Sequence, residues 1–411
     1  MAAHHEAFDV AVTGVGLVTA GGIGADATWD LLLTGEPTAA VDTELQGLPV
    51  DFSCRVPGFD ADELLGRRTA WRQDRFTHFG LVAAREALAQ SGLDPTTWDG
   101  ARVGIVVGNA LGGTKLFEEA RSTLMTDGPL HVPPMLIPQM GQSSLGGFLA
   151  IDCAATGPNL TTVTACASGA TAIGTARELL RSRVCDVVLT GGTEAAISPT
   201  IIAGFHQIGA LSRRVEDPAA ASRPFDVDRD GFVAAEGAGM LVLERPADAA
   251  ARGARPLALL SGYGASADAH HPTAPQPGGA GVERAVRAAL ADAGLSPRDI
   301  DHINAHGTST PLNDVAEAQL VRRVFGDRPA VTAVKGSLGH TLGAAGAIEA
   351  VCTVLSVRRG VVPPTANCDS QDPRVELDIV TKVPRSLPVR AAVSNSFGFG
   401  GLNAVLVVTE A

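Results

Sequence analysis

The stretch TTVTACASGATAIG, residues 161–174, changes character at its middle. Thr161, Thr162, Val163 and Thr164 are β-branched and favour extended backbone. Ala167, Ser168, Gly169 and Ala170 are small, as the first turn of a helix must be where it lies against other backbone. Cys166 stands at the joint. A free cysteine is ordinarily buried as a small hydrophobe. At the start of a helix, however, unpaired N–H groups and the helix dipole favour a thiolate and lower its pKa. A strand-to-helix elbow of this kind presents a nucleophile. Serine there would suit a hydrolase, whereas cysteine suits acyl transfer through a thioester.

Working outward, short apolar strands alternate with alanine-rich helical stretches. DVAVTGVGLV, RVGIVVGN, CDVVLTGGTEA and GMLVLERP read as strands, and HFGLVAAREALAQSGL and ATAIGTARELLRSR as helices between them. The same theme recurs in RPLALLSGYGA, GVERAVRAALADAGL, DHINAHG, DVAEAQLVRRVFG, AVTAVKGS and AAGAIEAVCTVLSVRRG, and ends in the strands RAAVSNSFGF and NAVLVVTE. This alternation predicts an α/β architecture with largely buried sheets. It divides into two similar halves, 1–250 with Cys166 and 251–411. The Pro- and Gly-rich loop DAHHPTAPQPGGAG, 268–281, reads as a surface connection or the lining of a channel.

Composition bounds the function. At 411 residues with 45% hydrophobic and 18% charged residues, the chain fills a large composite core or two cores. No apolar run approaches the roughly 18 residues of a membrane span, and MAAHHEAFDVAVTGVG lacks the marks of a secretory signal. A cytoplasmic location follows as the expectation, with Cys54, Cys153, Cys166, Cys185, Cys352 and Cys368 reduced. No CxxC pair suggests a metal site. A net charge of -12 disfavours nucleic acid as a partner. Against this acidic background, GRRTAWRQDRF gathers Arg67, Arg68, Arg72 and Arg75, which form either a solvated helix face or a docking patch for an acidic partner.

Partners for Cys166 are sought after later strands, because open α/β sheets build their sites at strand carboxyl ends. NAHGTSTPLND places His306 in a hydroxyl-rich loop, and KGSLGHTLGAAGAIEA places Lys335, His340 and Glu349 around a glycine-rich turn. Of the 32 lysines and arginines only Lys115, Lys335 and Lys382 are lysines, so a lysine at this turn points to its compact ammonium group. SNSFGFGGLN sets Phe397 and Phe399 among glycines that let backbone N–H groups converge on an oxyanion or let an aromatic ring act as a gate.

Taken in order, TACASG, FDVDRDGFVAAEGAG, NAHGTSTPLND, KGSLGHTLGAAGAIE and SNSFGFGGLN resemble the elongating β-ketoacyl-acyl carrier protein synthases of the thiolase superfamily. The resemblance spans nearly the whole chain. It implies the thiolase fold, two pseudo-symmetric α/β halves in a five-layered αβαβα arrangement, and a decarboxylative Claisen condensation with malonyl-carrier protein. It implies Cys166 as nucleophile, His306 and His340 as the decarboxylating pair, Lys335 with Glu349 as their support, and Phe399 as gate and oxyanion-hole residue. Thr273, Thr308 and Thr310 match contacts to the phosphopantetheine arm, which the acyl carrier protein supplies, so that no cofactor or metal is bound. Leu111 of GNALGG and Phe205 match acyl-pocket positions, and the arginines at 67–75 match a carrier-protein docking surface. The implied assembly is a homodimer, or a heterodimer with a chain-length-factor homologue.

Two departures widen the pathway. KGSLGH replaces the Lys-Ser-Met pattern usual in fatty-acid elongation, and Ala167 follows the cysteine where many relatives carry threonine or serine. With the arginine-rich composition, these favour type II polyketide assembly, including polyene-making systems, beside fatty acid synthesis. A noncatalytic chain-length factor is opposed by Cys166 and both histidines. A degradative thiolase would carry a second late cysteine where SNSFGFGG stands, and a cysteine hydrolase would leave Lys335 and His340 without work.

Overall fold

The computed structural model describes residues 8–411. Residues 1–7, part of the stretch read as lacking a targeting signal, lie outside the described residues. Ten principal strands organise the chain. In the first half these are β1 (Val10–Thr19), β2 (Val103–Gly108), β3 (Asn159–Thr162), β4 (Val187–Glu194) and β5 (Gly237–Glu244). In the second they are β6 (Ala258–Ala267), β7 (His302–Asn304), β8 (Ala330–Thr332), β9 (Ala391–Gly398) and β10 (Leu402–Thr409).

The strand orders are copies of one another. One half reads β1-β5-β4-β2-β3 and the other β6-β10-β9-β7-β8, with the first two pairings antiparallel and the rest parallel in each. The halves join where β1 pairs β6 antiparallel, Val10 opposite Leu260. The short strands Gly22–Ile23 and Asp378–Ile379 bring the hydrogen-bonded total to 12.

Side-chain alternation sorts this sheet into layers. Along β2, Val106 joins a central core with Ile173 and Ala176 of α3 (Ser168–Arg181) and Val351 of α6 (Ala345–Arg359). Its neighbours Ile105 and Val107 face the opposite way, onto Phe76 and Phe79 of α1 (Arg75–Ser91) and Leu145 of α2 (Ser144–Asp152). Along β10, Leu406 joins the central core, while Val405 and Val407 meet Val286 of α4 (Ala280–Asp292) and Val321 of α5 (Pro311–Phe325). The order is therefore helices, sheet, the α3/α6 pair, sheet, helices, which is the five-layered arrangement expected from the motifs.

The central helices cross closely because both are glycine-stepped where they meet. A Cβ on Gly169 would stand 2.7 Å from Ala347 N, and one on Gly346 would stand 2.9 Å from Ala170 N. The strand and helix stretches read from periodicity fall on these elements. The β-branched run before Cys166 falls at the end of β3, whereas the helices Ala25–Thr34, Thr114–Thr126, α2 and Pro199–Gln207 have no counterpart among the periodic stretches, because they are short or carry exposed apolar residues on more than one face.

Candidate active site

Cys166 lies in a 3-10 turn, Ala165–Ala167, that runs directly into α3. Ala165 is held at φ 49, a left-handed conformation that a side chain disfavours. The pseudo-symmetric turn of the second half, Leu342–Ala344, repeats it: Leu342 sits at φ 47 and the turn feeds α6. Where one half places Cys166, the other places Gly343. The two elbows face each other across the central layer, so residues flanking both converge.

His340 comes from the second elbow. Its backbone N–H donates to Val233 O at 2.8 Å and its carbonyl accepts from Ala235 N–H at 3.0 Å, which fixes the ring with Nε2 3.2 Å from Cys166 Sγ. Phe232 packs edge-on against that ring at 5.2 Å. His306 follows β7 and stands edge to face with His340 at 5.5 Å between centroids. Lys335 is buried behind it. Its ammonium donates to His306 O at 2.6 Å, contacts His306 Nδ1 at 3.3 Å and pairs with the Glu349 carboxylate. An ammonium has no lone pair, so Nδ1 accepts and the neutral ring carries its proton on Nε2.

Electrostatics follow from burial. Desolvation, then the nearby Lys335 charge, hold His306 and His340 well below the usual imidazole range, so both rings are neutral near pH 7. Burial pushes the Glu349 carboxyl up to about 7 against the pull of Lys335. Against the expectation of a lowered pKa, the Cys166 thiol is shifted upward. Burial pushes the thiol up to about 11, outweighing the opposing effects of the Lys335 ammonium and the Phe399 backbone N–H.

Phe399 opens the tight connection between β9 and β10. A Cβ on Gly398 would meet Cys166 N at 3.2 Å, so only glycine lets this strand end lie flush on the Ala165–Ala167 turn. Gly400 and Gly401 take φ 83 and φ 68, and Gly400 N–H bonds Pro272 O at 2.7 Å. The 398–401 turn thus rests on the 268–281 loop, whose Thr273, Ala274 and Gln276 line one wall of a cavity of about 390 Å³. The channel-lining alternative for that loop is the one that the geometry supports.

The same cavity holds Cys166, His306, His340, Phe205, Thr308, Thr310 and Phe399. Thr308 and Thr310 share a 2.9 Å hydroxyl contact, and Thr310 also caps α5. Leu111 departs from expectation in part. It is not in this lining, but it packs in the adjoining apolar cluster with Phe205, Phe232 and Leu342. The arginines separate. Arg67, Arg68 and Arg72 are exposed and make no ion pair with any described residue, and none lines the cavity. Arg75 is not a free cation: it forms a two-pronged pair with the fully buried Glu236, at 2.6 and 2.9 Å, and lies over the Phe79 ring. A buried carboxylate needs such a partner, so Arg75 is withdrawn from the docking patch.

Two buried acids escaped the sequence reading. Glu317 accepts the backbone N–H groups of His306 and Gly307 at 2.8 Å each and the Asn395 amide at 3.1 Å. Its trace in the sequence is an acid on the apolar face of a helix, three and four residues from the buried Asp314 and Val321. Glu194 is the one charged residue of the fully buried strand β4 and stands at its end. Among the described residues, no group of three or more His, Cys, Asp or Glu side chains is arranged to hold a metal ion.

Residues 7–249 match the model of the beta-ketoacyl synthase N-terminal domain and residues 257–369 that of the C-terminal domain. The chain belongs to the β-ketoacyl synthase family. It is 43% identical to a 3-oxoacyl-[acyl-carrier-protein] synthase 2 of Synechocystis sp. over 404 residues, covering 97% of each chain. The enzyme of the same name from Staphylococcus aureus is 41% identical over 405 residues, again covering 97% of each. Among solved structures, the ishigamide ketosynthase/chain length factor superposes with a TM-score of 0.92 at 34% identity, over 98% of this chain and 99% of that one. A ketosynthase solved with its type II polyketide acyl-carrier protein and bound to a hexaketide gives 0.91 at 31%, over 99% and 100%. The synthase is an acyltransferase of the thiolase fold.

Proposed function

We propose that this synthase extends an acyl chain by two carbons through decarboxylative condensation with malonyl-acyl carrier protein, with Cys166 as nucleophile. The observation that carries the reading is the convergence of Cys166 Sγ, His340 Nε2 and the protonated Nε2 of a Lys335-oriented His306 on one cavity. Cys166 attacks the thioester of a carrier-borne acyl chain, its sulfur–acyl bond forms, and the phosphopantetheine thiol leaves with the proton. Malonyl thioester then loses carbon dioxide. The electron pair of the broken C–C bond moves to an enolate whose oxygen the two neutral imidazoles stabilise by hydrogen bonding. The enolate carbon attacks the Cys166 thioester, and the N–H groups of Cys166 and Phe399 face the resulting oxyanion. Collapse expels the Cys166 thiolate. The phosphopantetheine arm rides on the carrier protein and passes Thr273, Thr308 and Thr310. This step is common to fatty-acid and type II polyketide assembly.

Arg67, Arg68 and Arg72, which pair with no described acid and stand beside the exposed Trp71, supply the basic surface for the acidic carrier protein. A second copy of the chain covers the free edge of β3, where Leu160, Val163 and Ile151 are exposed. Identity of 41–43% to the 3-oxoacyl-[acyl-carrier-protein] synthases 2, against 34% to the ishigamide ketosynthase/chain length factor and 31% to the type II polyketide ketosynthase, favours this homodimer over a heterodimer with a noncatalytic homologue. Six unpaired cysteines accord with the cytoplasm.

Intact-protein mass spectrometry tests the assignment. Incubation with acyl-carrier protein is expected to leave an acyl adduct on the parent and none on Cys166→Ala, and an undiminished adduct on the variant overturns it. The His306→Ala/His340→Ala double variant is expected to lose carbon dioxide release from malonyl-carrier protein while still acylating Cys166. Equal release by parent and double variant contradicts the histidine roles.

A further inference from the structure

Glu194 is fully buried at the end of β4 and takes no part in the reaction proposed above. Its carboxylate joins two segments far apart in sequence. Oε1 accepts from the Asn109 side-chain amide at 3.2 Å and Leu111 N–H at 3.3 Å, and Oε2 accepts from Ala110 N–H at 2.9 Å and Gly343 N–H at 3.2 Å. The successive N–H groups of Ala110 and Leu111 therefore form an anion-binding hollow filled by a side chain of the protein itself. Asn109 is anchored beside it through Thr193 O at 2.8 Å.

Each segment carries an apolar residue of the pocket region. Leu111 lies on the first, and Leu342 immediately precedes Gly343 on the second. Both pack with Phe205 and Phe232, and Leu342, Phe205 and Phe232 face the cavity that contains Cys166. The two segments already touch. A Cβ on Gly343 would meet Ala110 N at 2.4 Å and Glu194 Oε2 at 2.7 Å. The separation of the Leu111 loop from the Leu342 turn is thus set through one carboxylate.

We propose that Glu194 is a positioning residue for acyl-chain length, pinning the Leu111 loop against the Leu342 turn and so fixing how far a chain attached to Cys166 extends between them. The proposal rests on the reading of Cys166 as the acyl-bearing nucleophile. A glutamine at this position keeps the volume but turns one acceptor into a donor facing N–H groups, which loosens the pin without emptying the core.

The test compares kcat/KM for hexanoyl- and dodecanoyl-carrier protein in the parent, Glu194→Gln and the milder Asn109→Ala. The ratio between the two substrates is expected to change by about tenfold in Glu194→Gln, the scale of a small misfit in an apolar pocket. A smaller change in the same direction is expected in Asn109→Ala. A merely structural residue lowers both substrates alike and leaves the ratio unmoved; an unchanged ratio in the soluble variants overturns the proposal. Should Glu194→Gln prove insoluble, the ratio in Asn109→Ala decides. A parent that condenses neither substrate overturns the proposed function itself, a result distinct from an unchanged ratio.

Discussion

At the residue scale, Cys166 is placed by strain and silenced by burial. The left-handed Ala165 aims the thiol into the cavity, while desolvation keeps it protonated, with its pKa pushed up to about 11. The nucleophilic form is the thiolate, so alkylation of the free enzyme by iodoacetamide is expected to be slow at neutral pH and to rise with pH toward that value. The Lys335 ammonium is the charge that opposes this shift. Removing a cation beside an acid raises the acid's pKa, so Lys335→Met is expected to move the alkylation profile to higher pH. A profile that stays put or moves to lower pH contradicts the electrostatic account. Much of this site was legible in the sequence: Cys166, His306, Lys335, His340 and Phe399 each stand at a strand end or glycine turn. Burial was not legible there, because it depends on the opposite half of the molecule. That is why the thiol's pKa moved against expectation and why Arg75 proved committed to Glu236.

At the scale of elements, periodicity identified the long strands and the helices that pack on them, since each alternates between two layers in a regular rhythm. The small residues 167–170 pointed to a close approach of α3 to other backbone, but pattern did not name α6 as its neighbour, an approach that depends on Gly169 of one helix and Gly346 of the other. Gly169 and Gly204 make a matched pair for testing this. A side chain on Gly169 drives into Ala347, so Gly169→Leu is expected to destabilise the fold by the ~1–3 kcal/mol or more typical of overpacking. Gly204 lies in the helix Pro199–Gln207 with nothing within 4 Å of an added Cβ. Gly204→Ala is therefore expected to stabilise by about 0.5–1 kcal/mol, by reducing the freedom of the unfolded chain. Urea unfolding midpoints separate the two. Equal midpoints for parent and Gly169→Leu would show that the central layer has slack that the geometry denies it.

At the scale of the whole molecule, the doubled strand order leaves its two outer ends unequal. One end is closed by the short strand Asp378–Ile379 beside β8. Among the described residues, the other ends on β3, which pairs with β2 alone and leaves its second row of backbone groups open. Open edges are usually guarded by lysine, proline or a bulge. β3 instead reads Asn-Leu-Thr-Thr, with Val163 following it and Ile151, 79% exposed, on the preceding helix. In the proposed homodimer, two β3 strands related by a two-fold axis would pair antiparallel and bury one another's apolar residues. Leu160→Lys brings two ammonium groups close together across that axis, where like charges repel. Light scattering is expected to give twice the chain mass for the parent and once the chain mass for Leu160→Lys, with the variant's far-ultraviolet circular dichroism unchanged. A parent of single-chain mass would remove the second copy from β3 and require another cover for this edge.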